Sequence, residues 1–193
     1  MTTRGVRDER GSSGGASLFG VSINELRHAI EHDQLLLHYQ PQVNMATGQV
    51  THVEALVRWQ HPRHGVMLPE QFIPLAEQTD LIMPLSLWVL SAALRQCQVW
   101  QQAGLPVDVA VNLSMRNLQD VQLPERIAAL LKTWCVAPAR LEVEITESTL
   151  ATDLQCAKEI LTRLSQTGVR IAIDDFGVGY SSLASLKRLP VNR

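Results

Sequence analysis

Apolar and polar residues alternate with a period of two in four stretches of the chain, so each stretch carries its apolar set on one face of a predicted strand. Val53, Ala55, Val57 and Trp59 oppose His52, Glu54, Leu56 and Arg58. Val107, Val109, Val111 and Leu113 oppose Asp108, Ala110, Asn112 and Ser114. Leu141, Val143 and Ile145 oppose Glu142, Glu144 and Thr146, and Ile171 and Ile173 oppose Ala172 and Asp174. The predicted strands cover 50–59, 107–113, 141–146 and 170–174, with a further one at 35–41. Between them the apolar period lengthens to that of helices. Ser22 and Glu25 form a capping-box pair ahead of Leu26, Ala29 and Ile30. Helices are predicted over 69–78, over 85–103 with Gly104 as the stop, and over 153–165 ended by Gly168. Another opens at Pro124 and aligns Ile127, Leu130, Leu131 and Trp134. A last one begins near Ser181.

The first two strands are joined by a short turn at 44–48, which predicts an antiparallel hairpin. Beyond it, strands alternate with helices, which predicts parallel strands with helical crossovers and an α/β fold. Residues 1–20 are rich in Gly, Ser and Arg without any apolar period, as in a disordered tail or linker. Residues 21–193 form one domain in this reading, with no internal repeat.

The polar faces carry the candidate chemistry. Each of the four strands holds one oxygen ligand there: Glu54, Asn112, Glu144 and Asp174. In the three parallel strands the ligand lies toward the C-terminal end, where α/β folds place their active sites. Taken singly, Glu142 or Asp108 reads as the solvated outward side of a strand. Three carboxylates and an amide, one per strand, read instead as a site, because a solvated face mixes in Lys, Thr and Arg. An all-oxygen set suits Mg²⁺ or Mn²⁺ and not Zn²⁺. Asp175, next to Asp174, is placed to serve a second ion, and two divalent ions suit phosphodiester hydrolysis. Arg58 shares a face with Glu54 and suits either a phosphate or a salt bridge within the cluster. Gln40, before Pro41 at a predicted strand end, suits either a base edge or a local backbone contact. His61 and His64 flank a Pro-Arg turn and read as loop surface. The loop at Gly177 and Gly179 is not a dinucleotide fingerprint, since it lacks the third glycine, and reads as a lid or simple loop.

Composition narrows the class. With 46% hydrophobic and 19% charged residues the 193-residue chain is an ordinary globular one. A net charge of -2 gives no basic field for a nucleic acid polymer. No apolar run approaches the roughly 20 residues of a membrane span, and no signal-peptide core opens the chain, which predicts a cytoplasmic protein. Cys97, Cys135 and Cys156 are odd in number and far apart, so they read as core residues on helices and not as a disulfide framework or zinc site.

The motifs Tyr39-Gln40-Pro41, Glu54-Ala55-Leu56-Val57-Arg58-Trp59, Asn112-Leu113-Ser114, Glu144-Ile145-Thr146-Glu147 and the run from Asp174 to Leu183 occur in the order of one family. Over residues 23–193 the chain resembles the EAL domain of bacterial cyclic di-GMP phosphodiesterases. The resemblance implies a TIM-like (β/α) barrel with an antiparallel first strand. It also implies a two-metal site, with Mg²⁺ or Mn²⁺, that hydrolyses cyclic di-GMP to linear pGpG. On the family's motif positions, Glu54, Asn112, Glu144 and Asp174 hold one metal, and Asp174 and Asp175 hold the other. The same resemblance implies that Glu147 steadies the glycine-rich loop and that Gln40, Leu56 and Arg58 contact substrate. Asp80 stands where the family often has Gly. The family pattern continues beyond Arg193 to a catalytic lysine, so about five of the eight barrel strands are expected here. A chain without the remainder is expected to associate through its open edge and to lack turnover, leaving a non-catalytic nucleotide-binding or protein-interaction fragment as the alternative. A homo-oligomer, or an upstream sensor or cyclase domain in a parent protein, is the partner expected besides cyclic di-GMP.

Overall fold

The computed structural model describes residues 20–105, 107–146, 154–174 and 190. The predicted helix near Ser181 lies outside them. Six strands form one sheet in the order β1-β2-β4-β5-β6, with β3 paired to β2. They are β1 (Leu35–Val43), β2 (Val50–His61), β3 (Gly65–Met67), β4 (Asp108–Asn112), β5 (Leu141–Thr146) and β6 (Arg170–Asp174). β1 and β2 form the predicted antiparallel hairpin, and β2, β4, β5 and β6 run parallel. The helices are α1 (Ile23–Glu31), α2 (Ile73–Glu77), α3 (Ile82–Gln102), α4 (Leu123–Thr133) and α5 (Leu154–Gln166).

The apolar faces of β2, β4 and β5 are buried over most of their length, as their alternation predicts, and Ile171 of β6 with them. Val53, Ala55, Val57, Trp59, Val109, Val111, Leu141, Val143, Ile145 and Ile171 join one core with Leu85, Val89, Leu90, Ala93 and Leu94 of α3. Each valine, leucine or isoleucine among them contributes about 1.5–3 kcal/mol through its removal from water. The Ser22–Glu25 capping box forms at the start of α1. Pro124 stands in the first turn of α4, and Ile127 and Leu131 are buried on its inner face.

Several details differ from the sequence pattern. β3 was not predicted, because three residues are too few to show a period. It folds back on the end of β2 and takes His61 off the surface: His61 is 3% exposed, with Trp59 edge-on beside it. Its Nδ1 accepts hydrogen bonds from the backbone N–H groups of Arg63 (3.1 Å) and His64 (3.3 Å), so the ring holds the turn. Burial, with His64 nearby, lowers its basicity. His64 is exposed as expected. The helix predicted over 69–78 is split into a 3-10 turn at Pro69–Gln71 and α2. Pro74 lacks an N–H and fits only a first helical turn, so a helix must restart just ahead of it. Cys97 is buried as predicted, but Cys135 is exposed, and the Cys156 side chain lies outside the described set.

Glu142 and Asp108 are not solvated either. Asp108 Oδ1 takes Arg140 at 3.0 Å and Oδ2 takes Arg170 at 2.8 Å, with His52 Nε2 at 3.7 Å. Glu142, 2% exposed, has Arg170 at 3.7 Å. This network ties the N-terminal ends of β2, β4, β5 and β6 together, on the side of the sheet away from the ligand-bearing ends.

The sheet is curled. β1 and β5 are three strand spacings apart, about 14 Å in a flat sheet. Yet Gln42 Nε2 donates to Glu144 Oε1 at 3.3 Å. Only a surface concave on the polar face brings those side chains together, as in a barrel interior.

Candidate active site

The polar positions of five strands line this concave face. Asn112 and Asp174 are the last residues of β4 and β6, Glu144 lies two before the end of β5, and Glu54 lies within β2. The register sets Glu54 beside Ala110, Asn112 beside Glu144, Glu144 beside Ala172, and Asp174 beside Thr146. Each glutamate thus has an alanine neighbour, and the missing side-chain volume leaves the carboxylates room. Asn112 Nδ2 donates to Glu54 Oε1 at 2.7 Å along a diagonal pair, which leaves the Asn112 carbonyl oxygen as an acceptor.

Glu144 is the most perturbed group. It is 5% exposed, and its Oε2 has no hydrogen-bond partner among the described residues. Burial first, then the charge of Glu54, pushes its carboxyl up to about 7, with Asp174 and Glu142 adding to the rise and the Gln42 amide opposing it. A buried, half-bonded carboxylate facing two others is costly unless a cation neutralises it. Among the described residues no three His, Cys, Asp or Glu side chains stand together so as to hold a metal ion by themselves. The donor set of Glu54, Asn112, Glu144 and Asp174 nonetheless fits a hard divalent ion, with one donor an amide. Asp175 and Glu147 lie outside the described residues.

The expected substrate contacts are near. Gln40 is exposed and faces Glu54 in register; it stands inside β1 and not at a strand end. Pro41 is tolerated next to it because β1 is an edge among the described strands. Arg58 is half-buried, donates from Nη1 to the Val57 carbonyl at 2.8 Å, and has no acidic partner among the described residues. Leu56 lines a cavity of about 590 Å³ with Ile73, Pro74, Asn112, Ser114 and Thr146. Asp80 touches none of these groups; it pairs with Arg27 on α1 at 3.1 Å.

Two contributors escaped the sequence reading. Gln42 shares the face of Gln40, and the alternation 38, 40, 42 was the available sign, but the predicted strand stopped at 41. Asn117, fully buried, accepts at Oδ1 from the Ser114 N–H (2.9 Å), Ser114 Oγ (3.0 Å) and Ser86 Oγ (3.1 Å). That knot fixes the turn that follows Asn112.

The family model for the EAL domain matches residues 23–193. The chain belongs to the EAL domain family. This EAL domain is 46% identical over 171 residues to the bifunctional diguanylate cyclase/cyclic di-GMP phosphodiesterase MucR of Pseudomonas aeruginosa, covering 88% of this chain and 25% of that protein. It is 41% identical over 167 residues to the cyclic di-GMP phosphodiesterase PdeR of Escherichia coli, covering 86% and 25%. The chain therefore spans about a quarter of the length of these relatives. Among solved structures it is similar to the MucR phosphodiesterase in complex with c-di-GMP, with a TM-score of 0.83 and 46% identity over 88% of this chain and 69% of that one. The FimX EAL domain from Pseudomonas aeruginosa bound to c-di-GMP superposes with a TM-score of 0.80 at 25% identity, covering 88% and 68%. Those EAL domains are TIM-like barrels, in agreement with the curled sheet. No helix among the described residues is long and apolar enough to cross a membrane.

Proposed function

We propose that this EAL domain takes cyclic di-GMP on its concave face and, with Mg²⁺ or Mn²⁺, belongs to a phosphodiesterase that opens one phosphodiester to give linear pGpG. The observation that carries the reading is Glu144, a buried carboxylate with an unbonded oxygen facing Glu54 and Asp174. Glu54, Asn112, Glu144 and Asp174 hold the first ion, and Asp174 with Asp175 the second. When bound, the ions supply charge for the phosphate oxygens and a more acidic water. Arg58 offers a guanidinium for a non-bridging phosphate oxygen. Gln40 offers an amide to a base edge, and Leu56 with Pro74 forms an apolar wall for a base. Glu147 steadies the loop after Asp175. The cytoplasm as compartment, and an upstream sensor or cyclase domain in the parent protein, follow from the same reading.

Calorimetric titration of cyclic di-GMP into the chain with saturating Mn²⁺ tests it. Micromolar binding that Glu54→Ala weakens at least tenfold is the expected result. Absence of binding with Mn²⁺ bound would overturn the substrate. Chromatography of the same mixture for pGpG separates hydrolysis from binding alone.

A further inference from the structure

The Gln42–Glu144 hydrogen bond joins the outer strand of the hairpin to the third strand along, across 102 residues of sequence. The β1–β2 register slips just past Gln42: Gln42 pairs with His52 and Val43 with Val50, so Thr51 is the extra residue, on β2. Here the amide is aimed at one oxygen of Glu144, Oε1, while Oε2 stays buried and without a hydrogen-bond partner among the described residues. The two oxygens of this carboxylate are therefore unequal before any ligand arrives.

We propose that Gln42 is a positioning residue that makes Glu144 a one-oxygen cation ligand, and that it thereby sets the ion preference of the site. The inference rests on the metal reading given above. A carboxylate with Oε1 held by an amide presents only Oε2. That suits small ions such as Mg²⁺ and Mn²⁺, which hold few carboxylate oxygens in strict octahedra. A carboxylate free at both oxygens can chelate with both, which Ca²⁺, larger and content with six to eight ligands, exploits better. Orienting partners of metal ligands commonly change affinity about 10- to 100-fold when removed. Gln42 is half-buried, so its replacement need not disturb the core.

The test compares Mn²⁺ and Ca²⁺ affinities by isothermal calorimetry without nucleotide, in the native chain, Gln42→Leu and Gln42→Asn. Leu keeps the bulk and loses the donor; Asn keeps the amide but is one methylene too short to reach Glu144. Thermal melts without metal confirm folding of each. The expected result is a fall of about tenfold in the Mn²⁺-over-Ca²⁺ affinity ratio in both variants. Equal losses for both ions, or an unchanged ratio, would assign Gln42 a merely structural part and overturn the proposal. If one variant fails to fold, the other decides. A native chain that takes up neither ion overturns the metal reading itself, and this proposal with it, so the two failures are told apart.

Discussion

Glu144 stores electrostatic strain that can be read out by pH. Its carboxyl rises from an ordinary value of 4.5 to about 7 through burial and through Glu54. The folded chain then binds this proton more tightly than the unfolded chain does. The stabilisation is complete below about 4.5 and is lost as pH rises through about 7. The shift corresponds to about 3 kcal/mol. In the metal-free Glu144→Gln variant that loss should vanish, and at pH 8 the variant should be more stable than the native chain by about 2–3 kcal/mol. Urea unfolding of both proteins from pH 5 to pH 8 measures it; parallel curves would refute the assignment. His61 gives the opposite slope, since its lowered basicity favours the fold as pH rises, so the comparison must be native against variant at each pH. Mn²⁺ affinity of the native chain should fall below pH 7, where the proton competes for the same oxygen. At this scale the sequence was informative about which residues face inward. Period two alone puts Glu54, Asn112, Glu144 and Asp174 on one face. It was silent on what each one touches. The amide that holds Glu144 of β5 comes from β1, three strands away and 102 residues earlier, and the arginines that pair with Asp108 are likewise distant in sequence, so no local pattern encodes them.

Among the elements, the helix ends show both sides of the same limit. α3 closes in a Schellman arrangement: Gly104, at φ 75°, donates to Gln101, and the Leu105 N–H donates to the Trp100 carbonyl at 2.9 Å. A glycine just past an apolar helical run is a stop that can be read directly, and the end of α3 falls where Gly104 placed it. α4 closes in the same way, with Val136 N–H to Leu131 at 3.0 Å and Cys135 N–H to Lys132 at 3.2 Å. Its left-handed residue is Cys135, at φ 51°. A cysteine there gives no stop sign, so it was read as core, whereas the motif turns it out to solvent. The Cβ of an L-residue in this conformation costs about 1 kcal/mol, which glycine avoids. Cys135→Gly should therefore stabilise the chain by about 0.5–1 kcal/mol, reduced by the greater freedom of glycine when unfolded. A lower denaturation midpoint in that variant would contradict the strain argument. β3 escaped for a different reason: a three-residue strand is too short to show a period and is set by tertiary closure around Trp59 and Phe72, whose rings meet edge to face at 5.8 Å, whereas the break before α2 was legible in Pro74.

For the molecule as a whole, the curl of the sheet separates two jobs. One end of the strands gathers carboxylates that repel one another. The other end gathers the compensated network of Asp108, Arg140, Arg170 and Glu142, which conforms to the division of barrels into a reactive top and a stabilising bottom. The repulsion at one end is tolerable only if the strands are held in register from elsewhere, and Asp108 is the group that does so, since it alone in that network binds both Arg140 ahead of β5 and Arg170 of β6. The Asp108 side chain is 16% exposed, and its partners are 31% and 28% exposed, so the pairs lie between surface pairs of under 1 kcal/mol and buried pairs whose rupture costs about 3–5 kcal/mol. Asp108→Ala should cost about 2 kcal/mol, because Glu142 remains to face Arg170. If the network acts as a unit, the Asp108→Ala, Arg170→Met pair should be non-additive, with a coupling energy of about 1 kcal/mol in urea denaturation. Strict additivity would mean that each residue acts alone and that the strand ends are held by core packing. Mn²⁺ affinity of Asp108→Ala, measured where the variant remains folded, should stay within about threefold of the native value, because the ligands stand at the opposite ends of the strands and the alanines beside Glu54 and Glu144 are untouched.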